Sequence, residues 1–399
     1  MGNTLASPKR REEWRRQFSD RKTQTFFRRS AVPLGRADSA DTQFSPVHGQ
    51  TVLSDPFPRR QGHLISKNKL DPLEILDSPY IKTYIISEKE IERQDKMHMM
   101  LHWGFQRNHM APVEKMLRRG AKCLDIGCGS ASWTIEMASE YPQSEFIGID
   151  IIEITFPLDR ELPHNLTLEL RNALDPLPYA DGEISYVFQR LALLSYPLDD
   201  WPRVMSEIKR VTKPGGYVEL VEVDTYPEKR GPLFTRYLDA IHAVAREDGV
   251  DLNMARRLTD IMDEAGFEEV KAHRLTIPMH ESHGRLGRLC KEVAMDAFRS
   301  MGKVAQQRMG MTSEEYTQFF EVDMSNEIET YETMAFFNCV YGRVPGGPVT
   351  DATEEDRDGG KRAGKVGLGG RVSVEEDETF DEGIASMGPT FPDNVQQDM

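Results

Sequence analysis

Residues 123–133 read CLDIGCGSASW: an apolar run, a cluster of small residues, then large apolar side chains again. Asp125, Gly127 and Gly129 crowd into the middle of this stretch. Glycines in such a place permit a sharp turn and let a second molecule approach the backbone closely. A strand that runs into small residues and continues as a helix suggests a ligand at the turn, and the sequence around it has to say which one.

The surrounding text repeats the unit. Strand-like runs recur as AKCLDIG, EFIGIDI, LTLELRN, ISYVFQR, GYVELVEV, EEVKAHRLTIPM and MAFFNCVYG. Helical segments such as SWTIEMASEY, LDDWPRVMSEIKRV, LFTRYLDAIHAVARED and MARRLTDIMDEAG stand between most of them. Such alternation means an α/β fold with a doubly wound, mostly parallel sheet and helices on both faces. Upstream, SEKE opens a helical stretch over 86–103 with a Ser three residues before a Glu, the pattern of a capping box. Pro214-Gly215-Gly216 is expected to turn the chain into the fifth strand.

In a sheet of this kind the ligand sits at the carboxyl ends of the strands. No Lys closes the glycine loop, so it is not a triphosphate-binding P-loop. A dinucleotide and S-adenosylmethionine remain. Both place a ribose against an acid at the end of the second strand, here Asp150 in GID. The dinucleotide pattern wants Gly or Ala where this chain has Ser132, and Asp125 would repel a pyrophosphate. Asp125 suits a ligand that carries an ammonium group, as the methionine end of S-adenosylmethionine does. The residues therefore favour the sulfonium cofactor over NAD.

CLDIGCGSASW, EFIGIDI, RNALDPLPYADGEISYVFQR and RVTKPGGYVELVEVD, in that order, resemble the motifs of class I S-adenosylmethionine-dependent methyltransferases. ISEKEIERQDKMHMML and VYGRVP are similar to the fungal methyltransferases related to velvet-complex regulators of secondary metabolism. The resemblance implies a Rossmann-like sheet of seven strands with an antiparallel last strand. It implies that Asp125, Gly127 and Gly129 hold the amino-acid end of the cofactor and that Asp150 holds the ribose. Ile151 would pack on adenine, Asn172 and Ala173 would meet its edge, and Gln189 would lie beneath the methionine moiety. Asn172 stands where the family usually has Asp, and Ala131 replaces a third glycine of the loop.

Composition bounds the rest. Hydrophobic residues make up 39% of the 399-residue chain, low for a fully globular one, and the deficit lies at the ends. Residues 1–74 are expected as a disordered basic arm, 75–344 as the methyltransferase domain with added acceptor-side helices, and 345–399 as a disordered, acidic, Gly-rich tail. PKRR at 8–11 reads as a solvated basic segment or a nuclear import signal. No apolar run approaches the roughly 20 residues that cross a bilayer. With no secretory h-region and no C-x-x-C pair among four cysteines, a cytoplasmic or nuclear location is expected. A net charge of −15 argues against nucleic acid as partner.

The chemistry expected is in-line methyl transfer, which needs chiefly a dry pocket that holds nucleophile and methyl in line. FQRLALLSYP after the fourth strand lacks the [DN]-P-P-[YF] signature of enzymes acting on exocyclic or glutamine amide nitrogens. The acceptor is therefore read as a small metabolite or another protein. Glu222 at the end of the fifth strand and His102 on the N-terminal helix are the candidate catalytic groups. His98 and His102 share a helix face but have no third ligand, so no metal site is expected. Helices over 232–247 and 285–308 stand where acceptor specificity is built. Two other readings stay open: a methyltransferase-fold regulatory scaffold that binds cofactor and a protein partner with little catalysis, and an NAD-linked oxidoreductase.

Overall fold

The computed structural model of the protein describes residues 63–65, 88–152, 162–346 and 373–376. The chain divides into units 1–59 and 60–399, and every described residue lies in the second. Apart from residues 63–65, 345–346 and 373–376, the expected basic arm and acidic tail fall outside the described residues, as does Ser87 of the expected capping box.

All seven expected strands form. They are β2 (Lys122–Ile126), β3 (Glu145–Asp150), β4 (Leu166–Leu170), β5 (Ile184–Arg190), β6 (Thr212–Glu228), β7 (Glu268–Pro278) and β8 (Met334–Arg343). Two short strands, β1 (His63–Ile65) and β9 (Ser373–Glu376), pair at the edges, giving the order β1-β4-β3-β2-β5-β6-β8-β7-β9. Neighbours from β4 to β6 are parallel, whereas β8 runs antiparallel to both β6 and β7. The mostly parallel sheet with an antiparallel last core strand is thus the one the sequence implied.

Alternation along the strands sorts the core into two layers. Cys123, Phe146 and Tyr186 pack with Leu117, Trp133 and Met137 on one face. Leu124, Ile147 and Val187 pack with Trp201, Val204 and Ile208 on the other. The helices that supply these layers are α1 (Glu88–Phe105), α2 (Glu114–Arg119), α3 (Ser132–Glu140), α4 (Trp201–Val211), α5 (Pro232–Glu247), α6 (Leu258–Glu264) and α7 (Gly284–Ser300).

Three local readings differ. The chain at Pro214-Gly215-Gly216 is a bulge inside β6 rather than a turn before it, because Thr212 already pairs with Ile184 before Tyr217 pairs with Tyr186. The helix expected over 285–308 breaks at Met301 into α7 and α8 (Gly302–Met309). MARRLTDIMDEAG, expected as one helix, opens as a 3-10 turn packed through Met254 and Ala255 before α6 begins at Leu258. Helical turns α9 (Ser313–Thr317) and α10 (Ser325–Thr330), joined by a π-helical stretch, were not anticipated. The capping box of Thr312 and Glu315 that starts α9 was legible in the sequence.

Candidate functional site

The glycine loop is built by its neighbours. The amides of Gly127 and Cys128 both donate to the carbonyl of Ile149, at 2.8 and 3.0 Å, which hooks the end of β2 onto β3. Gly127 and Gly129 have φ of +71° and +54°, conformations that side chains other than glycine rarely adopt. Ala131 also takes a left-handed conformation, φ +56°, where the expected pattern would have its third glycine. The amide of Gly129 donates to Oδ2 of Asp150 at 2.8 Å, and that of Ile152 to Oδ1 at 3.0 Å. The loop is covered from above by α1, where Oε1 of Gln94 accepts from the Ser130 amide at 2.8 Å and Asp95 accepts from the Ser132 hydroxyl.

A cavity of about 550 Å3 opens over the carboxyl ends of β2, β3, β5 and β6. Asp125, Gly127, Gly129, Asp150, Ile151, Asn172, Ala173 and Glu222 all line it. Asn172 uses Oδ1 to accept from the Leu174 amide at 3.0 Å, which leaves its side-chain amide to donate. Burial pushes the Asp125 carboxyl up to about 7, opposed by the Thr134 hydroxyl that donates to it at 2.5 Å and by Arg190. Desolvation also raises Asp150, against the pull of the backbone amides it accepts.

Gln189 and His102 stand elsewhere. Gln189 is fully buried and accepts from the Tyr196 hydroxyl at 2.9 Å, outside the cavity lining. Its neighbour Arg190 lines the cavity instead. Successive strand residues point to opposite faces, so a one-residue offset exchanges a core side chain for a site side chain. His102 faces Asn108 and Glu136, at 3.0 and 3.3 Å, and does not line the cavity. Among the described residues no three His, Cys, Asp or Glu side chains are grouped to hold a metal ion.

Arg190 is the residue that sequence reading missed. Its guanidinium donates to Nδ1 of His98 at 3.4 Å, and His98 is held to Glu136 through Nε2. Desolvation lowers Arg190 to about 10, with Asp125 and Glu136 acting the other way. Among the described residues it has no carboxylate within ion-pair distance. A guanidinium in that position lacks the partner that normally offsets its desolvation.

Beyond these polar groups the cavity turns apolar. Phe234, Leu238 and Ile241 of α5 face it, as do Val293, Ala297 and Phe298 of α7. Glu222 stands in the wall with no exposed surface, and its Oε1 accepts from the Ala192 amide at 2.7 Å. Burial raises its carboxyl to about 8, so at neutral pH it holds its proton and is suited to donate rather than to act as the base. Oε2 has no protein partner among the described residues.

Residues 117–266 match the family model described as a methyltransferase domain. Over those residues the fold, the glycine loop and the strand order agree with a class I S-adenosylmethionine-dependent methyltransferase domain. Similar proteins include the secondary metabolism regulator laeA of Coprinopsis cinerea, 28% identical over 48% of this chain and 51% of that protein. Another is the secondary metabolism regulator LAE1 of Cochliobolus heterostrophus, 30% identical over 36% of this chain and 46% of that protein. A third is the N-methyltransferase verN of Clonostachys rogersoniana, 25% identical over 66% of this chain and 93% of that protein. The chain thus spans about half the length of the two regulators.

The residues present fit the cofactor. Asp125 offers a carboxyl to an α-amino acid's ammonium group, and Arg190, which has no carboxylate partner among the described residues, offers a guanidinium to its carboxylate. Asp150 keeps lone pairs for ribose hydroxyls after accepting its amides. A Cβ built on Gly127 meets no protein atom within 4 Å, so the loop keeps this space in the cavity clear for a ligand.

Proposed function

We propose that the protein transfers the methyl group of S-adenosylmethionine to a small, largely apolar acceptor. The observation that carries this reading is the division of one cavity into a charged end, with Asp125, Asp150 and Arg190, and an apolar end between α5 and α7. The cofactor, when bound, supplies a methyl carbon activated by its positively charged sulfur. The chain's part is to hold the amino-acid end at Asp125 and Arg190, the ribose at Asp150, and the acceptor in line within a space that excludes water. The apolar walls favour a small molecule over a polar protein side chain. That the similar verN is an N-methyltransferase favours a nitrogen acceptor. Four free cysteines, Cys123, Cys128, Cys290 and Cys339, suit a reducing compartment, so we assign the protein to the cytoplasm or nucleus.

Calorimetry with S-adenosylmethionine, S-adenosylhomocysteine and NAD tests the first half of this reading. The two sulfur compounds should bind and NAD should not; the reverse would overturn it. Labelled cofactor incubated with a cell extract, counted separately in protein and small-molecule fractions, tests the second half. A regulatory scaffold is the second reading, favoured by the regulators named above. It expects cofactor binding with label in neither fraction.

A further inference from the structure

His242 of α5 lines the acceptor end of the cavity, and nothing in the loop motifs draws attention to it. Only 4% of it is exposed, and its ring stacks on Tyr226 with centroids 4.2 Å apart. Nε2 lies 2.8 Å from the hydroxyl oxygen of Thr225. That hydroxyl donates its one proton to the carbonyl of Leu252, 3.1 Å away. It can therefore only accept from the imidazole, which fixes the hydrogen on Nε2 and the lone pair on Nδ1. Among the described residues Nδ1 has no hydrogen-bond partner.

We propose that Nδ1 of His242 takes the proton from the O–H or N–H of an apolar acceptor as that atom is methylated. The inference rests on the reading of the cavity as a methyl-transfer site and names the group that completes it. In the step, the acceptor's lone pair forms the bond to the methyl carbon while the S–C electron pair stays on sulfur. The acceptor's proton passes to Nδ1, so the positive charge leaves sulfur and arrives on the imidazole. Total charge is conserved, and the later loss of that proton to solvent restores the ring.

The charges around the ring support this use. Burial, followed by Arg246 on the same helix, lowers the imidazole to about 4, so at physiological pH the ring is neutral and keeps a lone pair. Asp239, Asp251 and Asp224 act in the opposite direction and stabilise the charged ring once it forms. Of these, Asp224 is paired with Arg256 at 2.8 Å, and Asp239 accepts from the Tyr226 hydroxyl at 3.1 Å. Arg230 lies over the outer face of Tyr226, 4.9 Å from its centroid. Burial pushes the Glu222 carboxyl up to about 8, which favours its protonated form at neutral pH.

The test uses the full chain with labelled cofactor and a panel of small phenols and arylamines, each paired with its O- or N-blocked analogue. Nitrogen-15 resonances of the His242 ring should report the Nε2–H tautomer, neutral at pH 7 and still neutral at pH 5. Transfer to the unblocked compounds should fall about 100- to 1000-fold in His242→Asn, within the range general bases contribute. Thr225→Val should scramble the tautomer and lower transfer less. Cofactor affinity by calorimetry should not change in either variant. A charged ring or an Nδ1–H tautomer at pH 7, or wild-type transfer by His242→Asn, would overturn the assignment. Wild-type protein that fails to bind S-adenosylmethionine would instead overturn the methyl-transfer reading beneath it.

Discussion

The backbone amide of Gly129 donates to the side chain of Asp150 at 2.8 Å, so the glycine loop after β2 and the acid ending β3 form one unit. The carboxylate proposed to meet a ribose also holds the loop proposed to meet the amino-acid end. Losing Asp150 should therefore cost twice.

Asp150→Ala is expected to weaken S-adenosylmethionine by at least the worth of one charge-assisted hydrogen bond, about 1.5–3 kcal/mol. Calorimetry measures this, and circular dichroism should report an unchanged fold. Unaltered affinity in the folded variant would place the ribose elsewhere.

Arg190→Met should act on one end of the cofactor only. S-adenosylmethionine is expected to bind roughly tenfold to a hundredfold more weakly, as for one lost hydrogen bond to a charge. 5′-Methylthioadenosine, which lacks the amino-acid end, should bind the variant as it binds the wild type. An equal loss for both ligands would show that Arg190 only shapes the loop.

The two loop glycines should fail differently. A Cβ on Gly129 would stand 2.4 Å from Oε1 of Gln94 at a positive φ, so Gly129→Ala should lower the melting temperature as well as cofactor affinity. The Cβ of Gly127→Val meets no protein atom within 4 Å, but it stands on a left-handed backbone, which costs about 1–2 kcal/mol, and the added side chain takes up space beside the cavity. It should abolish cofactor binding with a modest loss of stability. Tight binding by a folded Gly127→Val protein would refute the placement of the cofactor.

Glu222 gives a pH dependence of definite sign. Its carboxyl ionises near 4.5 when unfolded but near 8 in the fold, where burial disfavours the charge. Between those values the folded state holds a proton that the unfolded chain has released, so this group's contribution to stability is full below pH 4.5 and is lost as pH rises towards 8. Glu222→Gln keeps an oxygen for the Ala192 amide and has nothing to ionise. Its melting temperature should match the wild type at pH 5 and exceed it at pH 8.5. Parallel curves for the two proteins would show that Glu222 is already ionised in the fold.

Local pattern carried the architecture. Period-two apolar runs, glycines with positive φ and helical spacing act within a few residues of themselves, so seven strands, the loop over Asp125–Gly129 and the acid Asp150 were legible before any fold was known. Tertiary structure decided what depends on distant chain segments meeting. Whether Gln189 or Arg190 lines the cavity turns on one residue of strand register, which only the pairing of β5 with β2 and β6 settles. Gln94 braces Ser130 across 36 residues of chain, and Thr225 brings together His242 and the carbonyl of Leu252. No sequence period records such contacts, because they arise when separate elements close on one cavity. The glycine loop is therefore a property of the sequence, while which charged and titratable side chains line the cavity beside it, Arg190 and His242 among them, is a property of the fold.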